Sequence, residues 1–213
     1  KRTQERGHEI ASHGMYHQLL HTMSQQKFIQ DINYSKKLME DLSGSEIIGY
    51  RAPCFSILED TKTYYDELVK AGYRYDSSVF PATHDLATFI QIQSLGPYEV
   101  KTDFGSIMEI PISTVSLLKK RMCFFGGGYF RLFPYLLIDK MADKVIQENR
   151  PLILYLHPRE IDPTHPRIKM SAKRYFKSYV NLKSVHSKLN QILFKHAFET
   201  IRYYMQNVLF KNA

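Results

Sequence analysis

Leu152-Ile153-Leu154-Tyr155-Leu156, running into His157-Pro158-Arg159-Glu160, is the stretch on which the fold turns. Five apolar residues in unbroken succession read as a strand buried on both faces. A strand covered on both sides belongs to a parallel sheet. Further short apolar runs lie on either side of it in the chain: His8-Glu9-Ile10-Ala11, Ile47-Ile48-Gly49-Tyr50, Tyr73-Arg74-Tyr75, Ile107-Met108-Glu109-Ile110-Pro111-Ile112, and a last one near Phe198. They alternate with amphipathic segments, which predicts an α/β chain with a parallel sheet.

The helices between them carry their own punctuation. Ser24 caps a helix to about Leu42, with Phe28, Ile32, Ser35, Leu38 and Leu42 along one stripe and Gly44 at its stop. Asp60 or Thr61 caps a second, with Tyr64, Tyr65 and Leu68 inside and Gly72 beyond it. Gly126-Gly127-Gly128 precedes a third, with Pro134 in its first turn and Ile138, Met141, Ala142 and Val145 as its buried stripe. Residues 170–195 read as basic and mostly helical, and a last helix runs from Arg202 to Leu209. Lys1 to Gly7 reads as a helix end stopped by Gly7. Residues from about 80 to 105, broken by Pro81, Gly96, Pro97 and Gly105, read as a long loop or an insertion with hairpin strands.

The bulk numbers bound the answer. The chain has 213 residues, 44% hydrophobic and 23% charged, which suits a single folded domain over 1–213 with a basic helical region from about 167. A net charge of +8 favours acidic partners, but dense runs such as Lys169, Lys173, Arg174 and Lys177 also suit a solvated helix face. No nucleic-acid motif accompanies the charge, so no nucleic-acid partner is expected. Two cysteines, Cys54 and Cys123, make no disulfide framework and point to a cytoplasmic setting. No apolar run approaches the roughly 18 residues of a membrane span, so no transmembrane segment is expected. Gly126-Gly127-Gly128 lacks the Lys-Ser/Thr of a phosphate loop, which excludes that kind of nucleotide site. The oligomeric state is not legible.

Polar residues gather where the strands end: His13 and His17, Arg51, Glu109, His157. In parallel α/β folds that end is where chemistry sits. Ser12-His13-Gly14-Met15-Tyr16-His17 places two imidazoles four residues apart, a spacing that lets both reach one divalent ion, zinc in particular. The alternative is a pair of surface histidines in a polar turn.

Taken together, His13-Gly14-Met15-Tyr16-His17, Arg51-Ala52-Pro53-Cys54 and Leu154-Tyr155-Leu156-His157 resemble the metal-binding, groove-wall and catalytic-histidine motifs of the polysaccharide deacetylases with a NodB-type domain, a carbohydrate esterase family. Gly7–Gly14, Gly49–Pro53, Tyr75-Asp76-Ser77-Ser78, Gly126–Arg131 and His157–Asp162 extend the resemblance to the bacterial branch associated with exopolysaccharide and exosortase gene clusters. Gly14 stands where the family carries Ser or Thr, and Cys54 where it carries an aromatic residue, with Phe55 adjacent.

The resemblance implies a distorted (β/α)7 barrel, incomplete at the N-terminus, whose first acidic motif would precede Lys1. That motif supplies the general base and the carboxylate metal ligand. The implied activity is metal-dependent removal of N-acetyl groups from a polysaccharide or its precursor, with Zn2+ as the expected ion. His13 and His17 would bind it and His157 would be the general acid. Arg51 would brace the acidic motif, and without it would be a buried unpaired charge that leaves this chain inactive or poorly stable. The backbone N–H of Cys54 would donate to the oxyanion. Glu109 would orient His157, while Glu160 and Asp162 would hold the following loop or contact sugar. Tyr50, Phe55, Tyr129 and Phe130 would either stack on sugar or pack the core. The alternative is an inactive glycan-binding remnant that keeps the groove and lacks the base.

Overall fold

The computed structural model describes residues 2–58, 60–82, 92–117 and 120–209. They fall into two compact units, one of residues 1–111 with 199–213 and one of residues 112–198.

In the first unit, α1 (Arg2–Glu5) ends ahead of Gly7, which sits at φ +81°. Helix α2 (Gln25–Ser43) begins where the Ser24 side chain accepts from the Lys27 N–H and stops at left-handed Gly44. It buries Phe28, Asp31, Ile32 and Ser35. The stripe does not continue as expected: Leu38 is half-buried and Leu42 exposed, because the last turn runs past the body on which the helix packs. Helix α3 (Thr61–Lys70) is capped by Asp60 and buries Tyr64, Tyr65 and Leu68.

The sheet consists of β1 (Gly49–Tyr50), β2 (Tyr75–Asp76), β3 (Tyr98–Thr102) and β4 (Gly105–Glu109), in the order β1-β2-β4-β3. The first three are parallel, with Tyr50 opposite Asp76 and Asp76 opposite Glu109; β3 joins as an antiparallel edge. The β3–β4 hairpin is the one expected within 80–105; residues 83–91 of that stretch lie outside the described residues. His8–Ala11 forms no strand. The neighbouring Ser12 makes one parallel bridge to Tyr50, its N–H donating to the Gly49 carbonyl (2.8 Å) and its carbonyl accepting from Arg51 (2.9 Å). A final helix, α9 (Ile201–Tyr204), continues into a π-helical turn over Met205–Leu209.

The core of this unit is aromatic: Phe28 stacks on Tyr64 at 5.5 Å, and Tyr50 lies 5.4 Å from Tyr73. Tyr50 is 1% exposed, which removes it from the sugar-facing candidates; a ring enclosed by Phe28, Tyr64 and Tyr73 is core.

The second unit holds an antiparallel hairpin, β5 (Val115–Leu117) with β6 (Lys120–Met122), and the helices α4 (Gly127–Leu132), α5 (Tyr135–Gln147), α6 (Pro158–Ile161), α7 (Ala172–Tyr179) and α8 (Val185–Lys195). Two helices follow the glycines instead of one, with Pro134 as the N-cap of α5. Ile138, Met141, Ala142 and Val145 pack with Phe124, Phe125, Phe130, Val185 and Ile192. Leu152–Leu156 is not the doubly buried strand its composition predicts. These residues are half-buried and make a single parallel bridge, Gly126 to Tyr155. The partner chain turns into α4 immediately after that bridge, so no extended neighbour remains to pair with. Phe198 forms no strand either; its ring stacks on Phe125 at 6.4 Å. Among the described residues no helix is long and apolar enough to cross a membrane.

Candidate functional site

The histidine loop leaves the Ser12–Tyr50 bridge at the carboxyl end of the parallel strands. His13 and His17 are both exposed, and their rings meet edge to face with centroids 5.0 Å apart. The Nδ1 of His13 lies 2.6 Å from the Arg51 carbonyl, which fixes that nitrogen as the protonated donor and leaves the ring lone pair on Nε2. His17 reaches its place through a left-handed backbone, φ +52°, a conformation that a non-glycine residue holds only when its surroundings impose it.

Those surroundings include Asp31 of α2. Its carboxylate is buried and accepts the Met15 N–H at 3.1 and 3.0 Å through its two oxygens. Gly14 sits at φ +73°, and a Cβ there would come within 2.9 Å of the Asp31 carboxylate. The absence of a Ser or Thr at position 14 is thus matched by a carboxylate from the neighbouring helix. The Ser12 hydroxyl is buried against the Ser35 hydroxyl (3.0 Å), which ties the other end of the loop to α2.

Arg51 is half-buried, and its guanidinium donates to the Ser77 carbonyl (2.9 Å) and the Ser77 hydroxyl (2.7 Å). The expectation of a buried charge without partners is therefore corrected: the side chain is half-buried, and two neutral oxygens of Ser77 accept its hydrogen bonds. Beyond it, Cys54 and Phe55 are both left-handed, at φ +54° and +58°. The Phe55 and Ser56 N–H groups donate to the Ala52 and Pro53 carbonyls, whereas that of Cys54 has no backbone acceptor among the described residues. Phe55 is largely buried against Phe80, 4.9 Å between centroids, with the Arg51 guanidinium 6.0 Å from its ring.

Below this loop lies a pair of fully buried carboxyl groups, Asp76 and Glu109, opposite each other on β2 and β4. Tyr64 and Ser78 donate to Asp76 (2.9 and 2.6 Å), while Tyr65 and the Val79 N–H donate to Glu109 (3.1 and 3.0 Å). Burial pushes Asp76 up to about 6 against the hydrogen bonds it receives. Burial also raises Glu109 well above the ordinary carboxylate value, with the adjoining Asp76 charge as the second cause. Both carboxyl groups therefore hold their protons more tightly than a solvated acid does.

In the second unit, His157 is the N-cap of α6, and the carboxylate that meets it is Glu160. Glu160 accepts the His157 N–H at 2.9 Å and lies 3.3 Å from its Nδ1. The role expected of Glu109 is corrected on this point, since Glu109 is engaged by Tyr65, Val79 and Asp76. Glu160 is 1% exposed and forms an ion pair with Arg131 at 3.2 Å. Burial alone would raise it, but the hydrogen bonds from the His157 ring and backbone, with the Arg131 charge, hold it below the usual range. Arg131 is itself buried, donating to the carbonyls of Gly127, Lys177 and Ser178.

Among the described residues, one group of three side chains brings possible metal ligands together, Asp139, Asp143 and His196. A cation of the chain already lies there: the Lys195 ammonium is 2.7 Å from Asp139 and 2.9 Å from Asp143. The histidine loop brings together two exposed imidazoles, one of them hydrogen-bonded to a backbone carbonyl.

Residues 77–206 match the family model described as Domain of unknown function (DUF3473), the exopolysaccharide-associated deacetylase type, and residues 1–75 match Polysaccharide deacetylase. The chain belongs to the polysaccharide deacetylase family. Its α/β fold is that of solved family structures. A protein from Mycobacterium smegmatis assigned as a polysaccharide deacetylase matches with a TM-score of 0.59 and 17% identity over 99% of this chain and 66% of its own. Another so assigned, from Pseudomonas aeruginosa PAO1, matches at 0.57 and 16%, over 97% of this chain and 62% of its own. The Puue allantoinase matches at 0.59 and 16%, again over 97% and 62%. The chain thus spans less than two thirds of the length of these structures. No curated protein matches it.

Set against the deacetylase motifs, His13, His17, Arg51 and Cys54 lie on adjacent loops of one unit, joined by the His13–Arg51 hydrogen bond. Of the aromatic candidates, Phe130 is core like Tyr50, while Tyr129 is 45% exposed and stacked on Phe133. Sequence reading missed Asp31 and Arg131. The signal for Asp31 was present: an acid at the i+3 position of the Phe28, Ile32, Ser35 stripe.

Proposed function

We propose that this chain carries the metal-binding and proton-donating residues of a divalent-metal-dependent N-deacetylase acting on an N-acetylated exopolysaccharide or its precursor. The observation that carries the reading is the His13–His17 pair, 5.0 Å between rings, with His13 Nδ1 on the Arg51 carbonyl. With zinc as the proposed ion, His13 and His17 would hold it. When bound it would supply a Lewis acid for the acetyl carbonyl.

Further roles, other than that of the general base, fall to residues of this chain. The Cys54 N–H donates to the developing oxyanion. The Glu160 carboxylate accepts a hydrogen bond from Nδ1–H of His157, so that the protonated ring gives its Nε2 proton to the leaving amine and keeps the one on Nδ1. Arg131 keeps Glu160 ionised in its buried position. Arg51, set on Ser77, lines the groove next to the oxyanion donor. The NodB-type barrel implied by the motifs is part of the same proposal.

Two measurements test it. Calorimetric titration should show one zinc bound, and a His13→Ala, His17→Ala double variant should lose that binding. Acetate release from N-acetylated oligosaccharides should require zinc and fall with His157→Ala. Unchanged zinc binding in the double variant would refute the assignment of the metal site.

A further inference from the structure

Residues 163–198 contain eight lysines and arginines and no aspartate or glutamate, as much positive charge as the whole chain carries net. Within this acid-free stretch, α7 reads Ala-Lys-Arg-Tyr-Phe-Lys-Ser-Tyr. At 100° per residue, Ala172, Tyr175, Phe176 and Tyr179 share one face, and Lys173, Arg174 and Lys177 the other. Such a helix normally buries its apolar face. None of the residues of α7 is buried, Phe176 is 57% exposed and Tyr175 44%.

This exposure is built rather than frayed. Arg131 donates to the carbonyls of Lys177 and Ser178 and so fastens the C-terminal end of the helix. The Tyr179 hydroxyl accepts the Ile168 N–H at 3.0 Å, and the Arg167 guanidinium lies 4.4 Å from the Tyr179 ring. Those contacts hold Ile168, 67% exposed, against the same helix, with Lys169 exposed beside it.

We propose that the Tyr175–Phe176–Ile168 face of α7 docks the protein in the plane of an anionic lipid bilayer. The aromatic and aliphatic side chains enter the acyl boundary, while Lys169, Lys173 and Arg174 meet the lipid phosphates. A helix with a strongly apolar face, a polar face rich in lysine and arginine and low overall hydrophobicity has the composition of an interfacial helix. A soluble polyanion would call for the cations alone and leaves exposed Phe176 and Ile168 without a partner. The bilayer uses both, and the acid-free sequence around the helix removes the repulsion an anionic surface would otherwise meet.

The chain contains no tryptophan, so Phe176→Trp is a single reporter at the centre of the face. With vesicles of phosphatidylcholine containing phosphatidylglycerol, its emission should shift to the blue and be quenched by brominated acyl chains. Vesicles of phosphatidylcholine alone should give a much smaller response. In co-sedimentation, Phe176→Ser should weaken partitioning about tenfold. A Lys169→Glu, Lys173→Glu double variant should weaken it by a similar factor and remove its dependence on anionic lipid. All of these positions are exposed, and circular dichroism will verify that each variant is folded. Three results would overturn the proposal: no blue shift on anionic vesicles; binding to dextran sulfate but not to vesicles; or lipid-free self-association that Phe176→Ser abolishes, which would mean that a second copy covers the face.

Discussion

Single residues set the geometry of the histidine loop. Gly14 has both a left-handed backbone and a carboxylate where a Cβ would go, 2.9 Å away. Gly14→Ala should therefore cost about 2 kcal/mol, combining left-handed strain with displacement of Asp31 from the Met15 N–H. Urea denaturation gives the stability, and zinc titration should show weaker binding because the loop end moves. A variant as stable as the parent would mean that the loop adapts without Asp31. Glu160 works differently, through the ring it holds. Glu160→Gln nearly preserves shape but replaces an acceptor pair by an amide, so Nδ1–H of His157 loses its preference. Turnover should fall about tenfold to a hundredfold, as when the orienting partner of a functional imidazole is removed. The 15N resonances of His157 should move from the Nδ1–H tautomer toward a mixture. A loss of turnover with unchanged resonances would mean that Glu160 acts only on the fold of α6.

Among the elements, β2 and β4 are joined by the most costly pairing in the first unit. Asp76 and Glu109 face each other with no exposure, and both hold protons more tightly than in an unfolded chain. An acid whose folded pKa is raised favours the native state below its unfolded value, near 4. From there through about 6 and beyond, the native state binds more protons than the unfolded one, so stability falls as pH rises. Glu109→Gln removes one charge while keeping an acceptor for Val79. It should flatten this decline and leave the variant about 1–3 kcal/mol more stable than the parent at pH 8. Urea midpoints at pH 5 and pH 8 check it; an equal change at both would place the cause in packing. This pairing was invisible in the sequence, where Asp76 entered only as part of the Tyr75-Asp76-Ser77-Ser78 motif. The helices were legible because their caps and stripes are local: Ser24 to Gly44 and Asp60 to Gly72 needed no knowledge of partners. Strands were not. An apolar run reports burial, whereas a ladder needs a distant extended neighbour, and for Leu152–Leu156 the neighbour turns into α4. The same limit separates His13 and His17, legible from spacing, from Asp31 and Arg131, which act across contacts that spacing does not encode.

At the scale of the whole molecule, two places offer ligands to the proposed metal ion. One is the histidine loop of the first unit; the other is the Asp139, Asp143, His196 group of the second. Electrostatics separate them. In the second, Lys195 lies against both carboxylates, so an ion would have to displace an ammonium whose charge two acids stabilise by more than desolvation opposes it. In the first, the donors would be imidazole nitrogens, and one ring is already turned by a backbone carbonyl, so little reorganisation opposes binding. A ligand that binds only the native state stabilises it by mass action, about 2.7 kcal/mol at a hundredfold excess over its dissociation constant. Zinc at that excess should raise a calorimetric transition by roughly 5–10 °C. The rise should vanish in the His13→Ala, His17→Ala variant and persist in Asp139→Asn, which leaves Lys195 paired with Asp143. The reverse pattern, a rise that survives loss of both histidines and disappears with Asp139, would move the metal to the second unit and take the deacetylase chemistry away from the loop on which it has been built.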